Sequence, residues 1–231
     1  MKLVVIHGVG HKGSTYEITG HLLKHCAAEE VSEFFLPQDM PHFCIGCNVC
    51  FIKGETACPH AKWIQPILLA MKKADVIVMT TPTYVLRTSG QMKALLDHFG
   101  FQFIPHRPDP ELIGKTGVII STAAGGGMQS AMKDIATSML FWGLGRIHKY
   151  GIATHAISWD EVSAKKRAAI EKRTEKLAAK LKKEYTKRKM SFKGRAIFRA
   201  LRIMMMKKVI DNPLDQVHWE SQGWFSGRNP W

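Results

Sequence analysis

Short apolar runs alternate with stretches of helical periodicity over most of the chain. Residues 2–7, Val31–Leu36, Ala74–Thr81, Gly117–Ala123 and Ile147–Ile157 read as strands. Ala74–Thr81 is apolar almost throughout, as expected for a parallel strand covered on both faces. Tyr16–Ala28, Trp63–Lys73, Ser89–Phe99, Met128–Phe141 and Trp159–Lys189 read as helices; Ile64, Ile67, Leu68 and Met71 show the spacing. Five strands alternating with helices predict one doubly wound, five-stranded parallel α/β sheet over residues 1–189. Residues 190–231 read as a separate extension. Within it, Ile197, Phe198, Leu201, Met204, Met205 and Val209 fall on one face of a helix over Phe192–Ile210. Trp219, Trp224, Phe225 and Trp231 follow in a segment that reads as loop.

A doubly wound sheet binds ligands beyond the carboxyl ends of its strands. Three loops leave those ends. The first, Gly8–Thr15, joins the first strand to the first helix, and its amides and the helix dipole suit an anion. Gly8, Gly10 and Gly13 spell G-x-G-x-x-G, the dinucleotide fingerprint, but strand two offers only Asp39 as a late acid for a ribose. The Walker reading fails, because Ser14 stands where that motif needs Lys. A third reading is a terminal phosphate wrapped by the Ser14 and Thr15 hydroxyls, and an ordinary glycine turn is a fourth. The second loop, Pro82-Thr83-Tyr84-Val85, puts an aromatic ring just past a strand end. The third, Gly125-Gly126-Gly127, lets backbone approach a ligand closely.

Charge sharpens the division of the chain. Residues 1–158 carry 14 Lys and Arg against 11 Asp and Glu, whereas 159–231 carry 19 against 8. The excess of cations belongs to the C-terminal third of the chain, so it does not mark the sheet as a nucleic-acid binder. The helix over 192–210 suits a subunit-interface arm, its own core, or a weak contact with an anionic membrane surface. No apolar run is long enough to cross a bilayer and no leader pattern is present, so a cytoplasmic protein is expected.

Four of the five cysteines form one compact motif: Cys44, Cys47, Cys50 and Cys58 stand in C-x2-C-x2-C-x7-C spacing, with Pro59 after the last. In a reducing compartment such a set points to metal or redox chemistry rather than disulfides. A [4Fe–4S] cluster, a zinc ion, and a loop with no metal are all open. Cys26 falls on the first helix and reads as a buried thiol.

Gly8–Thr15, the run from Ala74 to Tyr84, and Ser89–Asp97 together resemble the NADPH-dependent FMN reductase and iron–sulfur flavoprotein branch of the flavodoxin-like superfamily, over residues 2–158. The resemblance implies a flavodoxin-like FMN domain over residues 1–189. It places the FMN phosphate at His11, Lys12, Gly13, Ser14 and Thr15, and the flavin ring against Pro82, Thr83, Tyr84 and Val85, approached by Gly125, Gly126 and Gly127. It implies an oxidoreductase reduced by NAD(P)H, passing electrons to a small-molecule or protein acceptor, with Cys44, Cys47, Cys50 and Cys58 as candidate cluster ligands. It also implies a homodimer or higher homo-oligomer. The other expectation is a non-enzymatic electron carrier or redox sensor that docks through its basic tail.

Overall fold

The computed structural model describes residues 1–231. Five parallel strands, β1 (Lys2–His7), β2 (Glu30–Phe35), β3 (Val76–Pro82), β4 (Thr116–Ala123) and β5 (Arg146–Ala153), form one sheet in the order β2-β1-β3-β4-β5. This is the flavodoxin-like arrangement, with the switch point between β1 and β3. Val4 pairs with Ser32 on one side and Ile77 on the other, which fixes the register of the central strands.

Alternation of side chains along the strands gives each face its own core. On one face Leu3, Val5, Val78, Val118 and Ile120 pack against α1 (Ser14–Cys26) and α6 (Ala164–Glu184). On the other, Val4, Ile6, Ile77, Met79 and Ile119 pack against α3 (Ala61–Lys73), α4 (Gly90–His98) and α5 (Met128–Phe141). A one-turn helix, α2 (Val49–Ile52), sits inside the cysteine loop. Lys115 is buried at the C-terminal end of α3, where its ammonium donates to the carbonyls of Met71 (2.9 Å), Lys72 and Ala74. Burial pulls its pKa down to about 8.

The sheet and its helices lie where the apolar pattern puts them, and the differences fall at the C-terminal end. β5 stops at Ala153 rather than Ile157, and α6 begins at Ala164 rather than Trp159. Ser163 caps α6, accepting from the Lys166 N–H, so the residues before it form a connecting loop. The extension holds two helices, α7 (Phe192–Met206) and α8 (Pro213–Ser221), the second in a stretch that reads as loop. Phe198 and Met205 of α7 join Trp219 and Trp224 in a third buried cluster, closed by Ile104 and Ile113 of this same chain. Phe198 stacks on Trp219 at 4.8 Å. The inner stripe of α7 therefore covers its own chain, while Phe192, Ile203, Met206 and Val209 stay exposed. No helix is long and apolar enough to cross a membrane.

Candidate functional site

The loops after β1, β3 and β4 converge with the end of β5 on a cleft of about 390 Å³ at the carboxyl edge of the sheet. His11, Gly13, Ser14, Thr15, Pro82, Thr83 and Tyr84 line it. Lys12, Val85 and Gly125–Gly127 lie outside this lining; Lys12 instead holds its ammonium 5.1 Å from the centre of the Tyr16 ring. Val9 and Ala124, from the first and third loops, also line the cleft, as do Thr122, Ala123, Thr154, Ala156 and Ile157, which no motif marks. The signal that could have found Thr122 and Thr154 is their position, hydroxyls at or just past the ends of β4 and β5.

The glycines of the first loop serve close packing of protein on protein. A Cβ on Gly8 would stand 2.6 Å from the Thr80 carbonyl and 2.8 Å from Ser89 Oγ. One on Gly10 would enter the Gln38 side chain. Ser89, fully buried, donates its hydroxyl to the Gly8 carbonyl at 2.7 Å and its N–H to Thr81 Oγ1 at 2.9 Å, so the first and second loops are tied together. Asp39 does not line the cleft; its carboxylate accepts from the Phe35 N–H at 2.6 Å.

What the first loop leaves open is the N-terminus of α1. Gly13 is its N-cap and supplies no side-chain acceptor. The first-turn amides, at the positive end of the helix dipole, thus face the cleft without a cap. Ser14 Oγ has no partner within the protein, while Thr15 Oγ1 is turned inward to Thr122 Oγ1 at 2.5 Å. The chemistry of this end, open amides plus one open hydroxyl, fits a phosphate.

The rim opposite is strained. Tyr84 and Arg87 exchange two backbone hydrogen bonds of 2.9 Å each, closing a tight turn with Val85 and Leu86 at its tip. Both tip residues have left-handed backbone, φ +48° and +61°. A turn with two positive φ values ordinarily selects Asn and Gly, and a β-branched Val there costs roughly 1–2 kcal/mol. Leu86 presses on Gly127, where φ is +92° and a Cβ would meet Leu86 Cδ2 at 2.8 Å. Strain of this kind collects at ligand clamps. Tyr84, Val85, Leu86 and Ile157 are all exposed, and Val85 and Ile157 are each 96% accessible, so the cleft has an apolar rim.

A second hollow, smaller at about 40 Å³, lies under the cysteine loop. Cys44, Cys47, Cys50 and Cys58 all line it, together with His60, Asp97 and His98. Burial raises the Cys50 thiol pKa, and the neighbouring thiols of Cys58, Cys44 and Cys47 add to the rise. No three Cys, His, Asp or Glu side chains stand close enough together to hold a single metal ion. His98, buried, lies within hydrogen-bond reach of the Ala94 carbonyl (2.8 Å) and His60 Nδ1 (3.0 Å), and burial lowers the pKa of His60. Cys26 is apart from this set, buried on α1 with its pKa pushed up to about 11. No residue lines both hollows.

Known proteins resemble this chain in sequence and in fold. An iron–sulfur flavoprotein of Methanocaldococcus jannaschii is 32% identical over 140 residues, covering 58% of this chain and 69% of that protein. An iron–sulfur flavoprotein of Archaeoglobus fulgidus is 34% identical over 104 residues, or 42% of this chain and 48% of that one. Among solved structures, an azoreductase from Bacillus anthracis superposes with a TM-score of 0.60 at 18% identity, over 78% of this chain and 99% of that one. A flavone reductase gives 0.57 at 17%, over 83% and 66%. At those identities the two structures speak for the fold. The sequence profile of the NADPH-dependent FMN reductases matches residues 1–153, and with the strand order and the strand-end cleft this establishes that the chain belongs to that family.

Proposed function

We propose that this NAD(P)H-dependent flavin oxidoreductase holds FMN in the strand-end cleft. The uncapped N-terminus of α1 is the observation that carries the reading. The phosphate would take the first-turn amides and Ser14 Oγ, with His11, Lys12, Gly13 and Thr15 shaping the loop around it. The flavin ring would lie against Pro82, Thr83 and Tyr84, with the Val85–Leu86 tip and the Gly125–Gly127 loop at its edge. Bound FMN supplies hydride acceptance at N5 and the release of electrons singly or in pairs. The chain contributes position: the Ser89 tie keeps the two loops in register, and the strained tip excludes water from one side of the ring. No side-chain acid–base pair is required for that chemistry. NAD(P)H would approach the open face beside Ile157.

The four cysteines are read as one iron–sulfur centre that passes electrons on to a small-molecule or protein acceptor. Four thiols around one hollow supply the donor set of a cluster. The exposed apolar tip of Tyr84, Val85 and Leu86 is the surface read as pairing two copies into a homodimer. Residues 185–210 carry nine Lys and Arg and no acid. With exposed Phe192, Ile203, Met206 and Val209, they suit a weak contact of a cytoplasmic protein with an anionic membrane surface.

The test is purification under anaerobic conditions. The protein should carry FMN and iron and oxidise NAD(P)H with an added acceptor. Cys47→Ser should remove the iron and leave the flavin; retention of iron by that variant would end the cluster assignment.

A further inference from the structure

The C-terminal arm reaches the cysteine loop through a buried ion pair. Asp215, in the first turn of α8, is fully buried, and a carboxylate there must be paired. Its Oδ2 lies 2.8 Å from His106 Nδ1, and its Oδ1 accepts from the Arg107 guanidinium. The other arm of that guanidinium donates to the Cys50 carbonyl and lies 3.7 Å from Glu55 Oε2. One residue further, the Phe51 carbonyl accepts from Asn212 Nδ2 at 3.0 Å. The Oδ1 of the same Asn212 caps α8, accepting from the N–H groups of Leu214 (3.0 Å) and Asp215 (3.2 Å). Trp219, further along α8, donates its indole N–H to the His106 carbonyl at 2.8 Å.

Cys50 and Phe51 belong to α2, a helix of only four residues. A helix that short leaves its last carbonyls without backbone partners. Those two consecutive carbonyls are the ones the extension satisfies, one through Arg107 and one directly. The extension also lies wholly outside residues 1–153, the part matched by the reductase family.

We propose that α8 is a clamp for the cysteine centre. Asn212 and Asp215 are its positioning residues, and Arg107 relays the second of them to the backbone of the third cysteine. The clamp holds α2 folded and keeps the Cys50 thiol turned into the hollow it shares with Cys44, Cys47 and Cys58. It rests on the reading of those four cysteines as one centre.

The measurement is the alkylation rate of each cysteine by iodoacetamide, followed by mass spectrometry on the metal-free, full-length protein. Asn212→Asp breaks one tie: a carboxylate there still caps α8 but cannot donate to the Phe51 carbonyl and sets an oxygen against it. Cys50 should then react about tenfold faster than in wild type, the scale of one lost hydrogen bond. Cys26 serves as the unreactive internal reference. Asp215→Asn, which removes the charge facing Arg107, should act the same way, and Glu220→Gln on the exposed side of α8 should change nothing. Flavin affinity should be unaltered in all three. After reconstitution with iron and sulfide, Asn212→Asp should lose iron to a chelator faster than wild type. If Asp215→Asn does not fold, Asn212→Asp decides. Unchanged Cys50 reactivity in folded Asn212→Asp overturns the clamp. Faster alkylation in a protein that takes up no iron supports the clamp and removes the cluster.

Discussion

The strand-end cleft and the cysteine hollow are built on opposite principles. The cleft is made of groups the fold leaves unsatisfied: the uncapped N-terminus of α1, the free Ser14 hydroxyl, an exposed apolar rim and a strained turn. The hollow is made of a loop that the fold must hold down, by Arg107, Asp215 and Asn212. A site that binds an anion needs open donors, and the helix terminus provides them at no cost in packing. A loop with four thiols and a single helical turn has little core of its own, so its order comes from elsewhere in the chain.

That contrast can be broken most forcefully at the arm. Trp219→Ala removes a fully buried indole stacked on Phe198 and should cost about 3–5 kcal/mol of arm stability. Urea unfolding followed by tryptophan fluorescence should show an early transition, while FMN affinity measured by flavin fluorescence stays close to wild type. A parallel loss of FMN affinity would mean that the two regions are one cooperative unit.

Next in size is the phosphate end of the cleft. Ser14→Ala should weaken FMN binding about tenfold or more, as expected for one hydrogen bond to a charged acceptor. Thr15→Ala should act mainly on stability, because its hydroxyl is engaged with Thr122. Titration of the apoproteins with FMN separates the two, and equal losses of affinity would put Thr15 back among the phosphate ligands.

The strained tip gives a smaller effect of opposite sign. Replacing Val85 by Asn and Leu86 by Gly suits both left-handed positions and should stabilise the fold by about 1 kcal/mol. The same change should raise KM for NAD(P)H or loosen the flavin, if the strain serves the site. A stabilised variant with unchanged kinetics would assign the strain to no function.

Acid should have the mildest effect. Burial lowers the pKa of His7, opposed by Glu33, and burial likewise lowers His218. Each is therefore less protonated in the folded chain than in the unfolded one. Their contribution to stability is present above the unfolded value of 6.5 and is lost as pH falls below it. Urea midpoints measured from pH 7.5 to 5.5 should decline, and His7→Phe, which keeps a ring against Phe35, should flatten part of that slope.

The sheet was legible because its inner strands β1, β3 and β4 carry apolar runs, the edge strands β2 and β5 mixing apolar with polar residues, and the covering helices repeat their apolar residues at helical spacing. The cleft was legible in outline, since strand-end loops can be located once the strands are. Its finer features were not. Val85-Leu86 carries no turn signal, and only the two hydrogen bonds between Tyr84 and Arg87 reveal the turn. The inward rotation of Thr15 depends on Thr122, 107 residues away. Helix α8 did leave a local mark: Asn212 followed by Pro213 and Asp215 is an N-cap, a first-position proline and a first-turn acid. The Gly and Pro residues of the segment point instead to a loop. The pairing of Asp215 with Arg107 joins residues 108 apart, and no spacing rule reaches that far.

Everything proposed for the cleft depends on flavin binding at the N-terminal end of α1. The most direct measurement is anaerobic absorbance with flavin and iron quantitation on wild type and Ser14→Ala. Wild type should carry one FMN per chain, and the variant should lose flavin on dilution while keeping its iron. A colourless wild-type protein that takes up no FMN, or a variant that binds FMN as tightly as wild type, would contradict flavin binding there.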